Sequence, residues 1–143
     1  MEFIGAAAAL TQLAKYGIDI ANGIPEFSRR LRNAPASVQE WTDHTSLLVS
    51  LTQILQQQPT LLQHVQPEII VRLHTYAEKV ASLLQQLTAA AKDGKMERMK
   101  KRVQIVRKEK EVEKALKSIG LVSNALQAHL LYVCSSKSKF ILC

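Results

Sequence analysis

The sequence predicts an all-α fold, an antiparallel four-helix bundle with a long, basic fourth helix. Three observations predict it. Ala, Leu, Gln and Lys, all strong helix formers, dominate the 143 residues. Aromatic residues make up only 5%, with five Gly and four Pro, too little β-favouring and turn chemistry for a sandwich or barrel. Apolar residues recur at alternating spacings of three and four in four separate stretches, the pattern of a buried helical face. A hydrophobic content of 47% against 22% charged excludes wholesale disorder.

At this length the chain supports one core, assigned to residues 1–134, with 135–143 as a tail or linker. The first helix is expected over residues 3–22, with Phe3, Ala7, Leu10, Leu13, Ala14, Gly17, Ile18 and Ala21 along one side. Gly23 and Pro25 are expected to stop it. A short connector follows, carrying Arg29, Arg30 and Arg32 beside Phe27 and Leu31.

The second helix is expected to begin near Pro35. Ser37 and Glu40, three apart, suggest a capping box, and Val38, Trp41, Thr45, Leu48, Leu51 or Thr52, and Leu55 supply the core face. Gln56-Gln57-Gln58-Pro59 ends it. Leu61, Leu62 and Val65 then form an apolar link of open conformation. Pro67 and Glu68 suit the first turn of a third helix. Its core face runs through Ile69, Ile70, Leu73, Tyr76 or Ala77, Val80, Leu83, Leu84 and Leu87, to about residue 91. Lys92-Asp93-Gly94 reads as a cap and turn.

The fourth helix is expected over 95–133, roughly 58 Å long. Ile105, Val112, Ile119, Leu126 and Val133 recur every seven residues, with Leu116 and Leu130 between them. Gly120 marks a place where it can bend. The principal core residues are thus Trp41, Leu48, Leu73, Val80, Ile119 and Leu126. Helices of twenty to twenty-five residues span only about 30–38 Å, so part of the fourth is expected to project.

That projecting part holds most of the charge. The net is +7, and residues 92–117 contain eleven Lys/Arg against five Asp/Glu. Lys100, Lys101, Arg102, Arg107 and Lys108 form the candidate basic surface, which suits an anionic membrane or an acidic partner and equally suits a solvated face. Glu97, Glu109, Glu111 and Glu113 interrupt it and no aromatics interleave, which argues against nucleic acid.

Catalytic and metal signals are weak. His44, His64, His74 and His129 are never three or four apart, and neither cysteine has metal-ligand spacing. Gly94-Lys95 lacks the rest of a phosphate loop, and no nucleophile elbow occurs. Cys134 reads as a small core residue at a helix end. The expected function is non-enzymatic, with no cofactor and no metal. Glu2 and an alanine-rich start argue against a signal peptide, and no window reads as a constitutive membrane span. A cytoplasmic location is expected.

The first helix is the unusual segment. Gly5 with Ala9, and Gly17 with Ala21, form two small-xxx-small pairs that permit close backbone approach, in a core or in a membrane. Phe3, Ile4, Gly5, Ala9, Leu10, Leu13, Gly17 and Ala21 are the candidate membrane or assembly residues. Lys15 and Asp19, four apart, are the only charges between Phe3 and Ile24 and are placed to pair.

The opening Met-Glu-Phe-Ile-Gly-Ala-Ala-Ala-Ala-Leu-Thr-Gln-Leu-Ala-Lys-Tyr-Gly resembles the N-terminal domains of fungal NLR-like (STAND) proteins, in the SesA and HeLo-like group. The resemblance continues through Ile24-Pro25-Glu26-Phe27, the arginine cluster and the helix around Trp41, over about the first ninety residues. It implies a helical bundle acting in incompatibility or programmed cell death, by homotypic assembly or by membrane disruption through its N-terminal helix. The implied partner is a second copy or a homotypic helical domain, with recruitment to the plasma membrane on activation. The chain departs from the pattern in its longer, more basic last helix. No nucleotide-binding domain follows in these 143 residues, so an excised domain or a stand-alone protein is expected. The alternative is a scaffold that binds a partner helix without membrane action.

Overall fold

The computed structural model describes residues 2–30, 35–91 and 95–137, and within them the side chains of residues 5, 7–29, 38–87 and 106–135. The described residues form five packed helices and no strand: α1 (Glu2–Arg30), α2 (Pro35–Gln57), α3 (Pro59–Leu62), α4 (Pro67–Ala91) and α5 (Lys95–Lys137). Helix α1 packs on α2 and α4, and α5 packs on the same two, while the short α3 lies against α2. The four long helices therefore follow the cyclic order α1–α2–α5–α4, with α1 and α5 at opposite corners.

α1 runs through both residues expected to stop it. Pro25 lies inside the helix, where a missing N–H and a ring clash cost about 3 kcal/mol. The apolar face explains why the helix continues: Ile20, Ile24 and Phe27 extend the Leu10–Leu13 stripe, and all five are buried. Burying Ile24 and Phe27 contributes about 1.5–3 kcal/mol each, enough to offset the proline. Phe27 then reaches Trp41 on α2, with ring centroids 5.5 Å apart.

α2 starts at Pro35, a residue whose fixed φ suits a first helical turn. Ser37 therefore falls inside that turn and not at the cap, and the Glu40 carboxylate lies 3.9 Å from His44 Nε2. Trp41, Thr45, Leu48, Leu51, Thr52 and Leu55 are buried. The two threonines tolerate burial because their hydroxyls donate to the Trp41 and Leu48 carbonyls one turn back.

The apolar link becomes α3, opened by Pro59, with Leu61, Leu62 and Val65 turned into the core. On α4, Ala77 takes the fully buried position and Tyr76 a half-buried one. Leu73 and Val80 are buried on the same face. α5 has 43 residues, about 64 Å, and includes residues 135–137 of the expected tail. Among its described side chains, burial begins at Val112 and continues through Leu116, Ile119, Ser123, Leu126, Leu130 and Val133. Ile105 lies outside the described side chains.

Gly120 serves packing. The His44 ring lies against it so closely that a Cβ there would collide with Nδ1. That nitrogen is buried without a hydrogen-bond partner among the described residues, and so is the Ser123 hydroxyl on α5.

Candidate functional site

Two segments carry the candidate site: α1 and the basic first half of α5. On α1 the small residues occupy different environments. A Cβ at Gly5 would meet nothing within 4 Å. Ala7 and Ala8 are exposed, and Ala9 packs half-buried on the core. Gly17 is buried, and a Cβ there would come within 2.8 Å of Val49 Cγ2. Ala21 is exposed again. Helical geometry explains the separation. Gly5 and Gly17 are twelve residues apart, so at 3.6 residues per turn they lie about 120° apart around the axis. The two small-xxx-small pairs are two surfaces, and Gly17 uses its own to admit α2.

Leu10 and Leu13 are core residues. The side chains of Phe3 and Ile4 lie outside the described ones. Lys15 and Asp19 are exposed and border a polar groove between α1 and α4, which Tyr16, Asn22, Glu78 and Gln85 also line.

His74 braces the same pair of helices. Its Nε2–H donates to Gln12 Oε1 at 2.7 Å, its ring meets Tyr16 edge-on at 5.4 Å, and its Nδ1 lies 3.7 Å from Glu78. His129 on α5 donates to the His64 carbonyl in the α3–α4 link at 2.8 Å. Histidines, read from sequence as surface or boundary residues, thus tie elements far apart in the chain. Their spacing gave no hint of this, because each partner is contributed by another helix or link. Among the described residues no group of three or more His, Cys, Asp or Glu is placed to hold a metal ion. Cys134 is half-buried on the core and disulfide-bonded, so it presents no free thiol.

On α5, Arg107 is exposed and Lys108 half-buried. Lys100, Lys101 and Arg102 belong to the helix, but their side chains lie outside the described ones. The outward residues Lys110, Lys114 and Lys117 continue the basic character toward the packed half. Trp41, Leu48, Leu73, Val80, Ile119 and Leu126 all lie inside the core. Among the described residues no helix is long and apolar enough to cross a membrane. In comparisons with known proteins, no family model, no curated protein and no solved structure matches the chain.

Proposed function

We propose that the chain is a non-enzymatic signalling domain of the fungal NLR-like type, an antiparallel four-helix bundle with a long basic last helix that acts by self-assembly. Cell death then follows from membrane disruption through α1, with the domain cytoplasmic at rest and recruited to the plasma membrane on activation. The supporting observation is the divided character of α1. Its body carries Leu10, Leu13, Ile20, Ile24 and Phe27 into the core, while Gly5, Ala7 and Ala8 meet solvent with almost no side-chain bulk. A helix end of that kind lets another backbone approach closely.

A lone α1 is a poor membrane helix, since Lys15 and Asp19 each cost up to about 3 kcal/mol near the bilayer centre. Insertion therefore depends on several copies, with Lys15 of one meeting Asp19 of another. The basic half of α5 supplies attraction to anionic lipid, at about 1 kcal/mol per cation near the surface. Dye release from anionic vesicles, compared with neutral ones, tests the reading. Release that requires anionic lipid supports it, and an inert protein that stays off both vesicle types refutes it.

The scaffold reading has its own supporting observation, the 43-residue length of α5, well beyond the 23 and 25 residues of α2 and α4. A defined assembly in solution with no lipid binding would favour it.

A further inference from the structure

Helix α5 has a second apolar face. Its inner side carries Val112, Leu116, Ile119, Ser123, Leu126 and Leu130 into the core. On the opposite side, at spacings of four, three and four, run Leu121, Ala125, Ala128 and Tyr132, all exposed. Leu121 is 65% and Tyr132 71% exposed, and the neighbouring Leu131 is 64% exposed. Of the seven large hydrophobics exposed among the described residues, Leu121 and Tyr132 lie on this stripe, while Leu131 lies about 100° round the helix from Tyr132. Scattered apolar residues on a surface are ordinary, but an aligned cluster marks an interaction face.

Two features identify what covers it. The first is the order of side chains, large–small–small–large, which reads the same in both directions. A two-fold axis between Ala125 and Ala128 brings Leu121 against the partner's Tyr132 and Ala125 against the partner's Ala128, and the reverse contacts follow by symmetry. The central alanines admit close helix approach, and the Leu–Tyr contacts close over both ends.

The second is charge. No Asp, Glu, Lys or Arg occurs from position 118 to position 136, while the outer face just upstream carries Lys110, Lys114 and Lys117. Charge depletion is the compositional mark of an interface core. Antiparallel pairing lays the uncharged stretches on each other and sends the two lysine rows away in opposite directions, leaving one close approach of like charge at each end, where Lys117 falls opposite position 136, beside the partner's Lys137. Parallel pairing would set those rows side by side, at a repulsive cost.

We propose that two copies of this chain pair antiparallel through the outer face of α5, with Leu121 of each against the partner's Tyr132. The pairing rests on the self-assembly of the signalling reading and names a surface for it. Because α5 lies at the corner opposite α1, the pair leaves both α1 helices unobstructed. Vesicle leakage does not bear on it, so a domain that pairs without leaking, or leaks without pairing, separates the two claims.

The test is the mass in solution by light scattering at about 100 μM, a concentration that populates a micromolar dimer. The wild-type chain is expected near twice its 16.0 kDa, falling on dilution. Leu121→Lys and Tyr132→Glu each change a solvent-facing side chain, so helicity and melting temperature are expected to hold while pairing weakens about tenfold or more. Mixing the two variants is expected to restore a heterodimer, because the new ammonium meets the new carboxylate across the pair. A monomeric wild-type chain overturns the proposal, including one in which the same substitutions only reduce vesicle binding. So does a dimer indifferent to both variants, or a mixture that stays monomeric.

Discussion

Gly17 of α1 and Val49 of α2 touch with no space between them: a Cβ at position 17 would fall 2.8 Å from Val49 Cγ2. The two helices are therefore locked where glycine removes a side chain. Gly17→Leu forces them apart and is expected to destabilise the domain by about 1–3 kcal/mol or more, as overpacking does. On sequence grounds the same change is expected to leave the bundle intact if Gly17 lies at its edge, and its burial removes that condition. Gly17→Ala paired with Val49→Ala is expected to recover most of the loss of Gly17→Ala alone. Urea denaturation of the four-member cycle checks it, and additivity within about 0.5 kcal/mol would mean the residues do not meet.

Gly5 gives the contrasting case. A methyl group there meets nothing within 4 Å, so Gly5→Ala is expected to raise stability by about 0.5–1 kcal/mol through helix propensity alone. A loss of stability would place Gly5 in a contact.

How much of this could be read beforehand depends on the range of the forces involved. Buried faces of α2, α4 and α5 follow from local periodicity, so Trp41, Leu73, Val80 and Ile119 were legible as core positions. The end of α1 was not. Gly23 and Pro25 are strong local stop signals, and they are overruled by burial of Ile24 and Phe27 against partners elsewhere in the chain. For the same reason the link at Leu61 and Leu62 was open, since a single turn has too few residues to show a period. Gly17 and Gly5 look equivalent in a small-residue pattern. Only the position of Val49 distinguishes a helix-packing notch from open surface.

Trp41 lies beside Phe27, with only 5% of its surface exposed. Trp41→Ala is expected to cost about 3–5 kcal/mol. The Phe27–Trp41 coupling in a double-mutant cycle is expected at about 0.5–1.5 kcal/mol. A shift below about 0.5 kcal/mol for Trp41→Ala is surface behaviour and contradicts this packing.

Helix α5 contains a buried hydroxyl that finds no partner among the described residues, that of Ser123. Such a group carries a desolvation penalty of about 1–3 kcal/mol without return. Ser123→Ala is therefore expected to be neutral or stabilising. The neighbouring Gly120→Ala is expected to be destabilising, because the His44 ring occupies the space. His44→Ala should make it tolerable. Melting temperatures of the three variants and the His44–Gly120 double variant decide the matter.

Deleting residues 1–22 would remove Leu10, Leu13 and Ile20 from the core, so loss of activity in that truncation would report unfolding. Removing residues 1–8 spares those three, since Gly5, Ala7 and Ala8 are exposed and, among the described side chains, burial starts at Leu10. The shortened chain is expected to keep its helicity and lose vesicle leakage. A second variant asks whether α1 must leave the bundle. Gln12 and His74 already meet across α1 and α4, so cysteines at these positions, joined by a bis-maleimide whose spacer contains a reducible disulfide on a Cys134→Ser, Cys143→Ser background, hold α1 in place. The bridged protein is expected to bind anionic vesicles through its basic arm, with attraction that falls as salt shortens the Debye length. It is expected to release no dye until the bridge is cut. If the bridged protein leaks as freely as the unbridged one, α1 does not leave the bundle, and membrane disruption through it is excluded.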